Sequence, residues 1–210
     1  MGEAPQSPLR SPWHTHLVSN MPGVFCFEGD WGIEGDWGNR LDDTKTVLPL
    51  LETAQRVLEM PFVHRAIGTK GELDHYVGRW LENQHSRYTI GHFAFHGDED
   101  GLGLSQEDIS LDDLALTISA ATGGAAGRIV YFDSCGVLAD RTTALDFMHK
   151  TQAEAVVGYS KTVTWMESAA FDLLLFYALG TEDTAADARS WLTDTYPDVC
   201  HELGLEFLIP

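Results

Sequence analysis

The sequence predicts an α/β domain built in three layers, with a mostly parallel β-sheet covered by helices on both faces. Two observations carry this expectation. Five short runs rich in Val, Ile, Phe and Tyr recur along the chain, and segments with apolar residues three and four positions apart lie between them. Near-strict alternation of strand and helix, with strands apolar on both faces, is the pattern of a parallel sheet. Right-handed crossovers then leave few topologies.

The elements follow in order. The strand-like runs are Gly23–Phe27, Pro61–His64, Thr89–Phe95, Arg128–Phe132 and Ala155–Tyr159. Between the first two, Thr44–Glu59 places Val47, Leu48, Leu51, Ala54, Val57 and Leu58 on one helical face. Thr69 caps a helix through Leu81, with Glu72 at the spacing of a capping box. Ser110 caps Leu111–Ser119, Asp140–Gln152 forms a fourth helix and Met166–Leu179 a fifth. Thr184–Trp191 and Val199–Leu203 read as a final helix and tail. The duplication Gly29-Asp-Trp-Gly32 and Gly35-Asp-Trp-Gly38 marks a loop directly after the first strand.

With 210 residues the chain has the length of one well-buried domain. Residues 1–20, rich in Pro, Ser and His without apolar period, read as a flexible N-terminal arm, and residues 21–210 as a single domain. The apolar stretch around Phe171–Leu179 is too short to span a bilayer and no cleavable signal pattern opens the chain, so a cytoplasmic location is expected. A net charge of −19, spread along the sequence, disfavours nucleic acid and anionic membranes and favours cationic partners. Cys26, Cys135 and Cys200 form neither a disulfide framework nor a zinc pattern, and His14-Thr-His16 is too short for a metal site. No metal or other cofactor is expected.

Ligands bind open α/β sheets outside the carboxyl ends of the strands. Phe95-His96-Gly97-Asp98 follows the third strand and Asp133-Ser134-Cys135-Gly136 ends the fourth. An imidazole and a thiol thus terminate consecutive strands. A thiolate is the reactive form of cysteine, and a neighbouring imidazole takes its proton. The N–H groups of Gly97 and Cys135 are candidate donors to an oxyanion. No Asp or Asn stands out to orient His96, a task that a backbone carbonyl also performs.

His96-Gly97 and Cys135-Gly136, in this order on these elements, resemble the caspase-like cysteine peptidases, a group that includes caspases, metacaspases, separase, gingipains and bacterial CHAT domains. Asp133-Ser134-Cys135 is closer to the metacaspase form than to the Gln-Ala-Cys of caspases. Gly101–Leu104 with Ile109-Ser110-Leu111 resembles the short hairpin and helix start of CHAT domains, and Ala155–Tyr159 with Ala169–Leu179 their fifth strand and covering helix. The resemblance covers roughly Met21 to Leu179. It implies a three-layer caspase-like fold, a His96–Cys135 dyad and a protein or peptide substrate.

In relatives that cut after Arg or Lys, an acid two places before the nucleophile lines the specificity pocket, often with another acid after the first strand. Asp133 matches the former position, and Glu28 or Asp30 the latter; the basic alternative nearby is Lys161. The resemblance therefore implies cleavage after a basic residue. It also implies activation by self-cleavage or by an upstream protease or regulator, with the loop Asp140–Thr143 and its Arg141 as the candidate cleavage point, and an effector role in regulated proteolysis or bacterial defence. Departures exist: Gly136-Val137-Leu138 replaces the metacaspase His-Ser-Gly, and His96 and Cys135 stand closer than the roughly 50 positions of caspases.

Two other readings remain open. A catalytically silent caspase-like module would bind a partner through its acidic face and the Trp-containing loop Gly29–Trp37. An unrelated doubly wound domain would bind a small ligand, although no phosphate-cradling glycine pattern supports it.

Overall fold

The computed structural model of the chain describes residues 21–32, 45–104 and 107–210. Six strands make the main sheet: β1 (Val24–Glu28), β2 (Phe62–Ala66), β3 (Ile90–Ala94), β7 (Ile129–Asp133), β8 (Ala155–Tyr159) and β9 (Leu205–Leu208). Between β3 and β7 the chain makes a small antiparallel sheet of β4 (His96–Asp98), β5 (Gly101–Gly103) and β6 (Asp108–Ile109). The helices are α1 (Leu48–Leu58), α2 (Lys70–Leu81), α3 (Leu111–Ser119), α4 (Arg141–Thr151), α5 (Trp165–Thr181), α6 (Ala185–Thr195) and α7 (Pro197–Leu203).

The main sheet runs β2-β1-β3-β7-β8-β9, and all its pairings are parallel except β8–β9. This is the expected α/β class. Alternation along the strands divides the core. Phe25, Phe27, Phe93, Val130 and Phe132 face a layer with buried residues of α2, α3 and α4. Cys26, Ala94, Tyr131, Val157 and Tyr159 face the layer of α1, α5, α6 and α7. The first face carries a row of rings: Phe27 lies 4.7 Å from Phe93, Phe93 5.6 Å from Phe132, and Phe132 5.4 Å from Phe147.

Local chemistry sets the helix starts. Thr69 and Glu72 form the expected capping box, Thr164 and Glu167 form a second one, and Ser110, Asp140 and Thr184 accept from N–H groups of the first turn.

Three expectations are corrected. β2 is only half-buried, because no strand among the described residues pairs with its outer side. The tail after α7 contains a sixth strand, β9, antiparallel to β8. Asp140–Thr143 is a helix cap and first turn rather than a loop, with Arg141 ion-paired at 2.6 Å to Glu206 of β9. A protease needs extended chain, so that segment is not presented as a cleavage loop. Residues 1–20 and the second Gly-Asp-Trp-Gly copy, Gly35–Gly38, lie outside the described residues. No helix among the described residues is long and apolar enough to cross a membrane.

Gly91 of β3 shows how tightly one layer sits. A Cβ there would come within 2.5 Å of the Trp80 ring, whose indole N–H donates to Tyr88 O at 2.7 Å and holds the ring down. Gly91→Ala is expected to destabilise the fold by about 1–3 kcal/mol through overpacking. Gly78→Ala, on the exposed side of α2 with open space around it, is expected to stabilise it by roughly 0.5–1 kcal/mol. Urea denaturation of both variants checks the opposite signs.

Candidate active site

The register of two central strands positions the site. Ala94 of β3 pairs with Asp133 of β7. Carried two residues further, the same register sets His96 beside Cys135, and Phe95 N still reaches Asp133 O at 3.4 Å. Gly97 then passes so close to the other strand end that a Cβ would meet Val137, Ser134 and the Cys135 carbonyl at 2.7, 2.9 and 3.1 Å. Gly136 turns the chain away with φ at +64°, the left-handed region that glycine enters freely.

His96 and Cys135 line one cavity of about 120 Å³, together with Trp31, Lys45, Phe95, Asp133, Ser134, Val163, Trp165 and Ser168. The His96 Nε2 lies 3.2 Å from the Trp31 carbonyl. A carbonyl only accepts, so Nε2 carries the proton in the neutral ring and Nδ1 is left as the acceptor. This supplies the backbone orienter that the sequence left unnamed. The Trp31 indole also stands edge-on to the imidazole, with ring centres 5.3 Å apart, and to Trp165 at 4.8 Å.

The Cys135 sulfur is half-buried and faces the backbone of Val163, whose N–H donates to it at 3.4 Å while its carbonyl lies 3.5 Å away. No hydrogen bond joins the thiol to His96 among the described residues. The Cys135 N–H donates to no described partner and so is available to a ligand oxygen.

Glu28, at the end of β1, does not line this cavity. Its buried carboxylate accepts from Trp31 Nε1 at 2.7 Å, Val47 N at 2.7 Å and Thr46 Oγ1 at 2.8 Å, and contacts His64 Nε2 at 2.5 Å. Burial alone would raise its pKa, but the bonds from His64, Trp31, Val47 and Thr46 outweigh it and hold the carboxyl below its ordinary value. Glu28 thereby ties the start of α1 to the loop whose Trp31 carbonyl orients His96. Asp30 is exposed and accepts from Gly32 N at 2.9 Å, closing its own turn. The expectation that Glu28 or Asp30 lines the pocket beside Asp133 is therefore corrected. One has its acceptor sites filled by protein donors, and the other faces solvent.

Asp133 does line the cavity and is buried. Behind it lies a polar cluster inside the α5 side of the core. His92 Nε2 lies 3.4 Å from Asp133 Oδ2, Tyr131 donates to Asp172 Oδ1 at 2.6 Å, and the Tyr131 and Tyr159 hydroxyls are 2.7 Å apart. His92, Asp133 and Asp172 each bring one atom to within 4.8 Å of the others, and they are the one such group among the described residues close enough to share a cation. Among the described residues, His92 Nδ1 and Asp172 Oδ2 have no hydrogen-bond partner. Burial first, then the charge of Asp133, pushes the Asp172 carboxyl well above the usual range, against the Tyr131 bond.

On the other side of Cys135 a second, more open groove of about 280 Å³ is lined by Asp98, Glu99, Asp100 and Lys161 among others. Lys161 donates to His201 O at 2.9 Å and stays outside the Asp133 cavity. The cation that lines that cavity is Lys45 instead. The sequence did not single out Lys45, Trp165, Ser168 or Asp172. A readable signal existed for the last two: a Ser and an Asp four apart in a mostly apolar helix share one face.

A family described as a family of unknown function (DUF6642) matches residues 22–208, and the chain belongs to it. No curated protein matches the chain.

Glu28→Gln keeps the shape and removes the charge. It is expected to destabilise the protein by about 2 kcal/mol at neutral pH. Because the folded-state pKa of Glu28 is lowered, its contribution is complete above the ordinary carboxylate range and is lost as pH falls through the folded value. The stability gap between variant and wild type should shrink on acidification in urea titrations, and a gap independent of pH would refute this account.

Proposed function

We propose that the chain is a caspase-like cysteine endopeptidase that cleaves after a basic residue, with Cys135 as nucleophile and His96 as base. The observation that carries this reading is the shared cavity: a thiol, an imidazole with a free acceptor nitrogen, and a buried carboxylate two residues before the thiol line the same space. The sheet of five parallel strands and one antiparallel strand between two helical layers supports the caspase-like assignment.

In this reading the Cys135 thiol gives its proton to His96 Nδ1 and the sulfur bonds to the scissile carbonyl carbon. The carbonyl oxygen becomes an oxyanion that takes hydrogen bonds from the Cys135 and Gly97 N–H groups. Collapse breaks the C–N bond, and the leaving amine takes the proton from His96. Water, deprotonated by the same imidazole, then hydrolyses the thioester and restores the thiol. Trp31 keeps the ring in the required tautomer throughout. Asp133 receives the guanidinium or ammonium of the residue before the cut through charge-assisted hydrogen bonds. A role in regulated proteolysis or bacterial defence rests on the resemblance alone.

A second reading, a silent module that binds a protein partner, is favoured by the lack of a direct His96–Cys135 hydrogen bond and by the contacts of the sulfur with Val163. Apo sites are often loose in this respect. Arg-ended and Asp-ended fluorogenic peptides and an acyloxymethyl ketone probe separate the two. The expected outcome is cleavage of the Arg-ended peptide, with probe labelling and turnover falling about a thousandfold or more in Cys135→Ala and His96→Ala. Labelling that persists in Cys135→Ala, or preferred cleavage after Asp, would overturn the assignment.

A further inference from the structure

We propose that His92, Asp133 and Asp172 bind one divalent transition-metal ion of the zinc or cobalt type, behind the cavity that holds His96 and Cys135. The site goes beyond the reading of that cavity as a peptidase centre. Only its consequence for cleavage rests on that reading.

Three elements bring the ligands together. His92 comes from β3, Asp133 from β7 and Asp172 from α5, and one ligand atom of each lies within 4.8 Å of the others. All three side chains are buried, His92 and Asp172 completely. Among the described residues Asp172 Oδ2 has no hydrogen-bond partner, and neither has His92 Nδ1. Buried polar atoms are nearly always satisfied, so two orphans in one cluster point to a missing ligand.

The contact of His92 Nε2 with Asp133 Oδ2 pairs one of the carboxylates, but at 3.4 Å it is long beside the ~2.7–2.9 Å of a charge-assisted bond. Neither ring nitrogen of His92 is thus committed to a strong partner. The same spacing fits the edge of a tetrahedral site, since two ligands each about 2.0–2.2 Å from one ion stand about 3.4 Å apart. Tyr131 donates to Asp172 Oδ1 at 2.6 Å, and the Tyr159 hydroxyl lies 2.7 Å from that of Tyr131. A donor of this kind orients a ligating carboxylate and leaves its other oxygen for the ion.

Charge and ligand type name the class of ion. Two carboxylates and a neutral imidazole are balanced by a divalent cation, which the core can then hold. One nitrogen and two oxygens suit a borderline ion such as Zn2+ or Co2+. Calcium takes about six to eight oxygens, more than these side chains supply. Asp133 also lines the cavity, so it is the ligand that an ion entering through the cavity meets first. In the proposed mechanism Asp133 receives the basic side chain before the cut. Metal and substrate then compete for one carboxylate, and a bound ion holds the peptidase in check.

The test uses Co2+, whose absorption spectrum reports its ligands, with metal-stripped Cys135→Ala/His96→Ala protein so that the thiol and imidazole of the cavity cannot bind it. Equilibrium dialysis should find one Co2+ per chain, with visible bands of a nitrogen–oxygen site, no thiolate charge-transfer band and a raised Tm. Adding Asp172→Asn, which keeps an acceptor for Tyr131, should weaken binding about a hundredfold or more, because losing a ligand costs at least as much as losing a group that orients one. Binding that Asp172→Asn leaves unchanged overturns the site. So does a thiolate band, or binding of Ca2+ in preference to Co2+, and these results leave the peptidase reading standing. With otherwise native protein, Co2+ should raise KM for Arg-ended peptides, and Asp172→Asn should abolish the rise. A KM that does not respond while Co2+ is bound at the site overturns the role of Asp133 in cleavage and leaves the site standing. If Asp172→Asn does not fold, the lack of a stoichiometric nitrogen–oxygen spectrum in the parent protein is sufficient to overturn the proposal.

Discussion

The parallel pairing of β3 with β7 is the constraint on which the rest depends. Both strands are fully buried, and their register fixes which side chains end the sheet together. A slip by one residue would turn every side chain of a strand to the opposite face. It would put Asp133 among the phenylalanines and separate the imidazole from the thiol. The packing of Phe93 against Phe132 on one face and of His92 against Tyr131 on the other, with ring centres 5.1 Å apart, opposes any such slip. Core packing and site geometry are thus one requirement imposed on the same ten residues.

Around that fixed pair, two buried acids do different work. Glu28 meets four donors and is stable as a carboxylate, so it acts as a knot between β1, β2, the Trp31 loop and α1. Asp172 meets one donor and one neighbouring acid. Asp172 is the more deeply buried of the two and has fewer donors. This is why one acid is held as a carboxylate and the other is pushed toward its neutral form.

Much of this was legible in the sequence where a local rule governs. The five parallel strands, the Thr69–Glu72 box and the Ser110 cap follow from apolar runs and capping spacing, and His96 and Cys135 follow from their places at the ends of two such runs. What escaped depends on contacts distant in sequence. Nothing near Glu28 announces that His64 and Thr46 will reach it, so a strand-end acid looked like a ligand group. β9 is short and edge-like, without the apolar continuity of a central strand. Asp172 was hidden because Phe171–Leu179 reads as plain core, and its surroundings depend on Asp133 and Tyr131 arriving from another element. Trp31 lay in a loop already marked by its repeat, yet the useful atom is its backbone carbonyl, which no side-chain pattern encodes.

The late strand β9 has a consequence for the order of assembly on the ribosome. β8 gains its second neighbour only when Leu205–Leu208 has been synthesised, and Ser160, directly after β8, bonds with Gly204 through both N–H and hydroxyl. The loop from Ser160 to Val163 contributes the backbone that faces the Cys135 sulfur. A nascent chain can therefore complete β1, β3 and β7, with His96 and Cys135 already side by side, while that loop still lacks its anchor. The thiol would then be the last part of the pocket to acquire its surroundings, so that a growing chain passes through most of its fold before it holds a finished site.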